Sequence, residues 1–406
     1  LFGALVFWFL WLKPSPNNSP LVSAEENNTV DSFVERGSYY YDIGQTQNLE
    51  LAKSLFSQAL QRAPDDIDAL TGLSLALSKL VCRYNNEISS AQQAKSLAEQ
   101  AISLDGTNSK AHFALAYAWD CIGNLELALL NYAKSIELNS QHSASISSAA
   151  HLYFIKGDLL NAYALSKNAR EISLNNHMPK LQMANVLSLL QFTDEAKAQL
   201  ENLFILYPDN VFMNQAYPKF LFEHGQLFEA KNAVDITFER NIVRASIYGD
   251  YAEIIWLLED KNAALEWFGK AAELSGNNSF ADTIYKLVQK NLDSDKAVAR
   301  LSTLNAIVEQ GNTWPVNYIE ASLISLWALN DSGKSIEYLQ KAVNLGYLNS
   351  EYLKRSPLFS DLYNVKEGEA NHSMLSFSEL LENIETKREK LKQDFLLRFP
   401  NAVASS

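Results

Sequence analysis

The chain has 406 residues, of which 47% are hydrophobic and 20% are charged, so it carries enough apolar material for a large buried core. Only 15 Gly and 10 Pro are present and long apolar strand-like runs are absent, which favours an all-α fold. The net charge of −13 makes nucleic-acid binding by these residues unfavourable, because an acidic surface repels phosphate backbones.

The N-terminal segment is strongly apolar. Residues 1–12 read LFGALVFWFLWL, which is shorter than the roughly 20 residues that span a bilayer as a helix. Because no initiator Met is present, and because Trp8 and Trp11 precede Lys13 as in an interfacial belt, we interpret residues 1–12 as the end of a transmembrane helix. A signal-peptide apolar region and a short core helix are the alternatives, although no clear small-residue cleavage site follows. The polar residues 13–30 are predicted to form a flexible linker.

A spacing of 34 residues recurs from about Lys110 to Asn278. Two series of positions follow it, the second 12 residues before the first, so each unit contains two helical patterns. This period predicts a stacked array of antiparallel helix pairs that cannot bury their apolar faces alone. The two series consist of Ala128, Ala162, Ala196, Ala230 and Ala264, and of Ala116, Ala150, Ala184, Pro218 and Ala252.

The units resemble tetratricopeptide (TPR) repeats in their small and aromatic landmarks. One unit supplies Leu115, Ala116, Trp119, Gly123, Ala128 and Tyr132, and the next supplies Ala150, Tyr153, Gly157, Ala162 and Ala169. The resemblance implies a TPR-like right-handed helical solenoid over residues 31–345. The landmarks weaken at about 279–312, and this stretch, from about Asn278 to Gly311, is our candidate hinge.

Residues 346–406 are predicted to form C-terminal capping helices and a tail, because a helical array needs a polar end cap. From Phe377 to Phe399 one face is apolar and the other is densely charged. Arg388 interrupts the apolar stripe, which favours capping over a coiled-coil partner helix.

Catalytic and cofactor motifs are absent from the sequence. The six His residues never adopt the spacing of a zinc hydrolase, and no Gly-rich phosphate loop or nucleophile elbow is present. We therefore predict a protein that is not an enzyme and has no cofactor and no metal site. Cys82 and Cys121 are predicted to lie near the ends of first helices in consecutive repeats. A disulfide between them would need an oxidising compartment, and two buried free thiols are the commoner arrangement.

A concave binding wall is the main functional prediction. First helices line this wall in TPR-like arrays, and the resemblance places an aromatic, lightly charged set there. Such a wall would suit an extended apolar peptide or a hydrophobic or sugar-like ligand, although aromatic residues at helical spacing also pack between helices. The carboxylate clamp of some TPR modules is absent, since the corresponding positions carry Val34, Ser38, Ala69, Phe113 and Tyr117. The predicted wall consists of Tyr41, Phe113, Tyr117, His151, Phe154, Leu181, Phe212, Phe222 and Trp256.

The order of segments resembles the membrane-anchored transcriptional regulators of the CadC/ToxR kind. That resemblance implies a periplasmic sensory array, contact with the membrane through the N-terminal apolar segment, a protein or peptide partner on the concave face, and DNA binding only through a winged-helix domain absent from this chain. A membrane-tethered scaffold for envelope assembly is the alternative. An accessory module of a multidomain enzyme is a third reading.

Overall fold

The computed structural model describes residues 29–84, 88–174, 176–364 and 375–403. The predicted transmembrane end at 1–12 and most of the linker at 13–30 lie outside these ranges. No helix in the described ranges combines the length and the apolar character needed to cross a membrane.

Helices stack as nine antiparallel pairs over residues 30–344 of the described ranges. We number these pairs as repeats 1 to 9, and each has a first helix and a second helix. The first helices are α1 (Val30–Ile43), α3 (Ile67–Tyr84), α5 (Ser109–Ile122), α7 (Ser143–Ile155), α9 (Met178–Leu189), α11 (Val211–Glu223), α13 (Ala245–Leu258), α15 (Phe280–Val288) and α17 (Val316–Trp327). The second helices are α2 (Thr46–Arg62), α4 (Ile88–Leu104), α6 (Leu125–Leu138), α8 (Leu159–Ile172), α10 (Thr193–Leu206), α12 (Leu227–Glu239), α14 (Lys261–Ser275), α16 (Ser294–Glu309) and α18 (Ser332–Asn344).

Small residues on the 34-residue spacing let paired helices approach closely. All five Ala residues of the series that begins at Ala128 are fully buried, as are the four Ala residues of the earlier series. Aromatic side chains such as Tyr132 fill the spaces beside them. The predicted all-α, TPR-like solenoid is therefore confirmed.

The junction inside a repeat follows from two adjacent residues. In repeat 3, α5 ends at Gly123, whose φ of +94° is accessible to glycine at little cost. The next residue, Asn124, caps α6 by accepting a hydrogen bond from the backbone N–H of Leu127 at 3.0 Å. A Gly followed by a capping residue thus turns the chain sharply enough for the two helices to pack antiparallel.

The stretch with weak landmarks still forms a helix pair. Its second helix, α16, buries little apolar surface, with only Ala297 and Leu304 buried among its residues. A polar contact joins this repeat to the next one, because Arg300 donates to Glu320 on α17 at 2.7 Å and Thr283 of α15 donates to the same carboxylate at 2.6 Å. Part of the contact between this repeat and the next is therefore polar.

The solenoid curves until distant repeats meet. The loop after α16 touches the α5–α6 turn, where the Thr313 N–H donates to the Gly123 carbonyl at 3.0 Å and Asn312 Nδ2 donates to the Ile122 carbonyl at 3.0 Å. A second contact joins the α7–α8 turn at Gly157 to the loop after α18 at Gly346. These two contacts close one edge of the superhelix.

The C-terminal segment returns to earlier repeats. It comprises α19 (Ser350–Arg355), a 3-10 helix (Pro357–Asn364) and α20 (Phe377–Arg398). The apolar face of α20 is buried on its own chain, with Phe395 packed against Tyr163 of α8 at a centroid distance of 4.8 Å. Arg388, which interrupts the apolar stripe, is itself buried and donates to Glu351 of α19 at 3.1 Å.

Candidate partner-binding groove

Residues of six elements come together on the first helices, and we call the surface that they form the candidate central groove; they are Tyr41, Arg83, Tyr117, His151, Phe212 and Arg244. These residues come from six elements, α1, α3, α5, α7, α11 and the N-cap of α13. The Phe212 ring marks the point of convergence, because the Arg83 guanidinium lies 5.4 Å from its centroid and that of Arg244 lies 4.9 Å from it. Both distances allow a cation–π interaction.

The two guanidinium groups have no carboxylate of the described chain within ion-pairing distance. Burial lowers the pKa of Arg244, and the charge of Arg83 lowers it further. Asp250 acts on Arg244 electrostatically, but its hydrogen bond of 3.4 Å is with Gln215, and burial raises its pKa. This part of the groove therefore presents donors in excess of acceptors.

The same region carries a third cation on an aromatic ring. Lys79 lies 3.9 Å from the centroid of Tyr41 and donates to the Tyr41 carbonyl at 3.0 Å. Burial lowers the pKa of Lys79 to about 8, and Arg83 contributes to the same shift. Burial also raises the pKa of the Tyr41 hydroxyl, so that side chain stays neutral at physiological pH.

His151 is exposed as a residue, but its imidazole is surrounded by protein, with the ring centroid of Trp314 6.4 Å away. That dense environment lowers its pKa, so the ring is neutral near pH 7. The Nδ1 atom is 3.3 Å from Oε1 of Gln182, whereas the buried Nε2 of Gln182 has no hydrogen-bond partner among the described residues. The His151–Gln182 pair therefore leaves one hydrogen-bond donor of the described residues unpaired beside the aromatic side chains of the groove.

The chain's own C-terminal segment covers the inner wall of repeats 6 and 7. Phe222 is fully buried there and its ring centroid lies 6.4 Å from that of Tyr352 of α19. Trp256 packs edge-on against Trp327 of α17, with a centroid distance of 5.9 Å. Both residues were predicted to face a partner, but the C-terminal segment and repeat 9 occupy their inner faces instead.

Three further predicted wall residues contribute to packing between helices. Phe113 is buried with Tyr132, at a centroid distance of 5.9 Å, and Leu181 is buried in the main core. Phe154 is partly buried against the same core. Thus Tyr41, Tyr117, His151 and Phe212 are the predicted residues that border the open groove.

Cys82 and Cys121 form a disulfide with a Cα–Cα distance of 5.3 Å, in place of the commoner free thiols. It joins the end of α3 to the end of α5. Because Cys82 directly precedes Arg83, the bond restrains the backbone that carries one of the two guanidinium groups. The covalent link therefore belongs to the framework of the groove.

The sequence did not identify the cationic residues of the groove. Arg83 lies where the second repeat departs from the 34-residue pattern, and Arg244 caps a helix, so neither occupies a landmark position. Their convergence depends on the curvature accumulated between repeats 2 and 7. No local sequence signal reports that curvature.

Comparisons with known proteins identify the fold. Neither protein-family models nor curated proteins give a match to the chain. A tetratricopeptide repeat protein from Parabacteroides merdae ATCC 43184 is similar over 64% of this chain and 98% of its own, with 18% identity and a TM-score of 0.50. Human IFIT1, solved as a dimer with PPP-AAAA, is similar over 78% of this chain and 73% of its own, with 14% identity and a TM-score of 0.54. The Cut9–Hcn1 hetero-tetramer of the APC/C matches 79% of this chain at 13% identity and a TM-score of 0.53, and the match spans 57% of that chain.

The fold and these similarities define an all-α, TPR-like solenoid. At these identities the likeness concerns the fold alone. The absence of catalytic activity stays a prediction from the sequence.

Proposed function

We propose that the protein is a partner-binding scaffold whose central groove holds an extended segment of another protein. The observation that supports this proposal is a contact that the chain makes with itself. Residues 346–364 lie along the inner wall of repeats 6 and 7, as a bound segment would lie along the inner wall of the earlier repeats.

The contacts of that segment illustrate how the wall holds a chain. The Tyr352 hydroxyl donates to Glu253 on α13 at 2.9 Å, and Asn349 donates to Glu223 on α11 at 2.8 Å. The Trp327 indole N–H donates to the backbone carbonyl of Leu358 at 2.9 Å. Inner-wall side chains thus pair with both the side chains and the main chain of a guest segment.

In the central groove, Arg83 and Arg244 lie over the Phe212 ring and form no ion pair with a carboxylate of the described residues. Tyr117 and Phe212 supply rigid aromatic surface, which gains contact area at low entropic cost. Arg83 and Arg244 can donate to carbonyl or carboxylate oxygens of the bound segment. We therefore assign recognition of the partner to these four residues.

The experiment starts with site-specific cross-linking. A photoreactive phenylalanine analogue at position 117 should capture the partner, whereas the same analogue at Tyr39, which is 64% exposed on α1, should not. With the captured protein purified, Tyr117→Ala and Phe212→Ala should each weaken binding about tenfold, as for buried aromatic anchors. Tyr39→Ala should change the Kd less than about twofold, as for exposed contacts. Equal capture from positions 117 and 39 would contradict the groove assignment.

For the cellular setting, we propose the sensory part of a membrane-anchored transcriptional regulator, with the array on the extracytoplasmic side. Residues 1–12 and the Cys82–Cys121 disulfide support this location, since such bonds persist in oxidising compartments. In intact cells, both cysteines should resist alkylation until a reductant is added. Ready alkylation without reductant would overturn the location.

The choice between regulator and envelope scaffold depends on transcription. A regulator should change the transcription of a defined set of genes on deletion, and the full open reading frame should contain a winged-helix domain. A scaffold should instead co-purify with envelope proteins and leave transcription unchanged.

A further inference from the structure

A second cleft lies on the outer side of the array, away from the central groove. It has a volume of about 930 Å³ and is bounded by helices of repeats 4 and 5 and by residues 398–402. The C-terminal turn forms one wall because Phe399 packs on Tyr163 at a centroid distance of 4.9 Å. Arg398 adds a hydrogen bond of 3.3 Å to Asn161. The cleft therefore exists only when the C-terminal helix is docked.

The lining of this cleft is cationic in a chain of net charge −13. Among the described residues, four cations and a single carboxylate, Glu171, line it. None of the five forms an ion pair among the described residues, whereas lysines elsewhere do so within one helix, as Lys134 does with Glu137 at 2.9 Å. The cations of the cleft are Lys167, Arg170, Lys180 and Arg398.

Apolar surface accompanies these charges. Tyr163, Met183 and Leu203 supply buried apolar lining. At its edge, Leu174 is 76% exposed and Leu206 is 62% exposed. Exposed leucines beside an apolar floor indicate a surface that gains stability when a partner covers it.

Charge and shape together select among occupants. A nucleic acid meets the cations but leaves the leucines uncovered, and the acidic surface of the remaining chain repels its backbone. A purely apolar ligand leaves the four cations without counter-charges. An acidic segment with large apolar side chains satisfies both features, and a cleft of about 930 Å³ is within the usual range for ligand pockets.

We propose that this outer cleft is a second docking site, which binds an acidic peptide segment of a partner protein through one or two large apolar side chains and flanking carboxylates. It is independent of the central groove, so Tyr117→Ala and Phe212→Ala leave it unchanged.

The test uses a labelled dodecapeptide that carries two Leu residues among Asp and Glu, and fluorescence anisotropy as the readout. The double variant Lys167→Glu/Arg170→Glu should weaken binding about tenfold, since it reverses two charges at the site. The double variant Arg36→Glu/Lys110→Glu alters the net charge equally at exposed positions on α1 and α5, and it should bind as the unmodified protein does.

A second pair of changes tests the apolar half. Leu174→Ser/Leu206→Ser should weaken the Leu-containing peptide but not an analogue with Ser in place of Leu, because the effects of contacting groups are not additive. Both leucines are exposed, so the variant should keep the folded circular dichroism spectrum.

Four outcomes would overturn the proposal. The first is equal loss of binding in the two charge-reversed variants, and the second is equal affinity for a peptide with Asn and Gln in place of the acids. The third is competition by a thymidine dodecanucleotide as effective as that by the peptide. The fourth is no binding by the unmodified protein up to about 1 mM peptide.

Discussion

Substitution of Gly157 tests whether the closed edge of the superhelix stabilises the fold. Gly157 has a φ of +72°, and a Cβ atom there would lie 2.7 Å from the Gly346 carbonyl oxygen. Left-handed backbone costs an L-residue roughly 1–2 kcal/mol. Because a backbone oxygen cannot move aside as a side chain can, overpacking adds about 1–3 kcal/mol. Gly157→Ala should therefore lower the free energy of unfolding by about 2–5 kcal/mol.

Gly44→Ala is the matched control. Gly44 has a φ of +75°, and its nearest contact is the Lys79 Nζ atom, at 3.2 Å from the position of an added Cβ, so the side chain need shift by only a few tenths of an ångström. Gly44→Ala should therefore lower the free energy of unfolding only by the backbone cost of roughly 1–2 kcal/mol. Urea denaturation followed by circular dichroism compares the two variants, and hydrogen exchange should show faster opening at 345–349 in Gly157→Ala alone. If the two variants lose equal stability, the contact between the distant repeats contributes nothing and the reasoning is refuted.

Three further predictions concern pH, redox state and local stability. Burial raises the pKa of the Glu253 carboxyl from 4.5 to about 7 in the folded protein. The neutral carboxyl therefore stabilises the fold at low pH, and this contribution is lost as pH rises from about 4.5 to 7. Glu253→Gln should flatten the pH dependence of the thermal midpoint in that window and raise stability at pH 8, and an unchanged slope would contradict this. Reduction of the Cys82–Cys121 bond, which has a sequence separation of 39, should lower stability by about 4 kcal/mol on the loop-entropy account, as should Cys82→Ser with Cys121→Ser. A midpoint that is unaffected by reductant would show that the bond does not constrain the unfolded chain. Helix α16 should exchange its amide hydrogens faster than α7, because it buries only two side chains, and equal protection would remove the case for a hinge there.

Repeat identity could be predicted from the sequence, because it depends on local packing. The Ala residues that recur every 34 positions are buried where paired helices touch, and they signal that contact directly. That the apolar face of Phe377 to Phe399 is covered could also be predicted, but its packing on Tyr163 of the fourth repeat could not. The role of Arg388 could not be predicted, because its partner Glu351 belongs to another helix.

The binding wall was predictable only in part, because accessibility depends on curvature and on what lies in the groove. Tyr117 and Phe212 border the central groove. Phe222 was predicted from the same repeat pattern, but α19 covers it. Arg83 and Arg244 meet at one ring across five repeats. The small rotations between successive repeats add up to bring these two residues together, and no single repeat encodes the sum of those rotations.

The hydrogen bond from Thr313 to Gly123 has a consequence for how the chain folds. An open solenoid can fold from any point, because each repeat needs only its neighbours. Here the third repeat completes its contacts only after the loop following the eighth has been made, so native contacts of large sequence separation must form late. During synthesis, the N-terminal repeats therefore leave the ribosome with an uncovered edge, and their final stability waits for the C-terminal third of the protein.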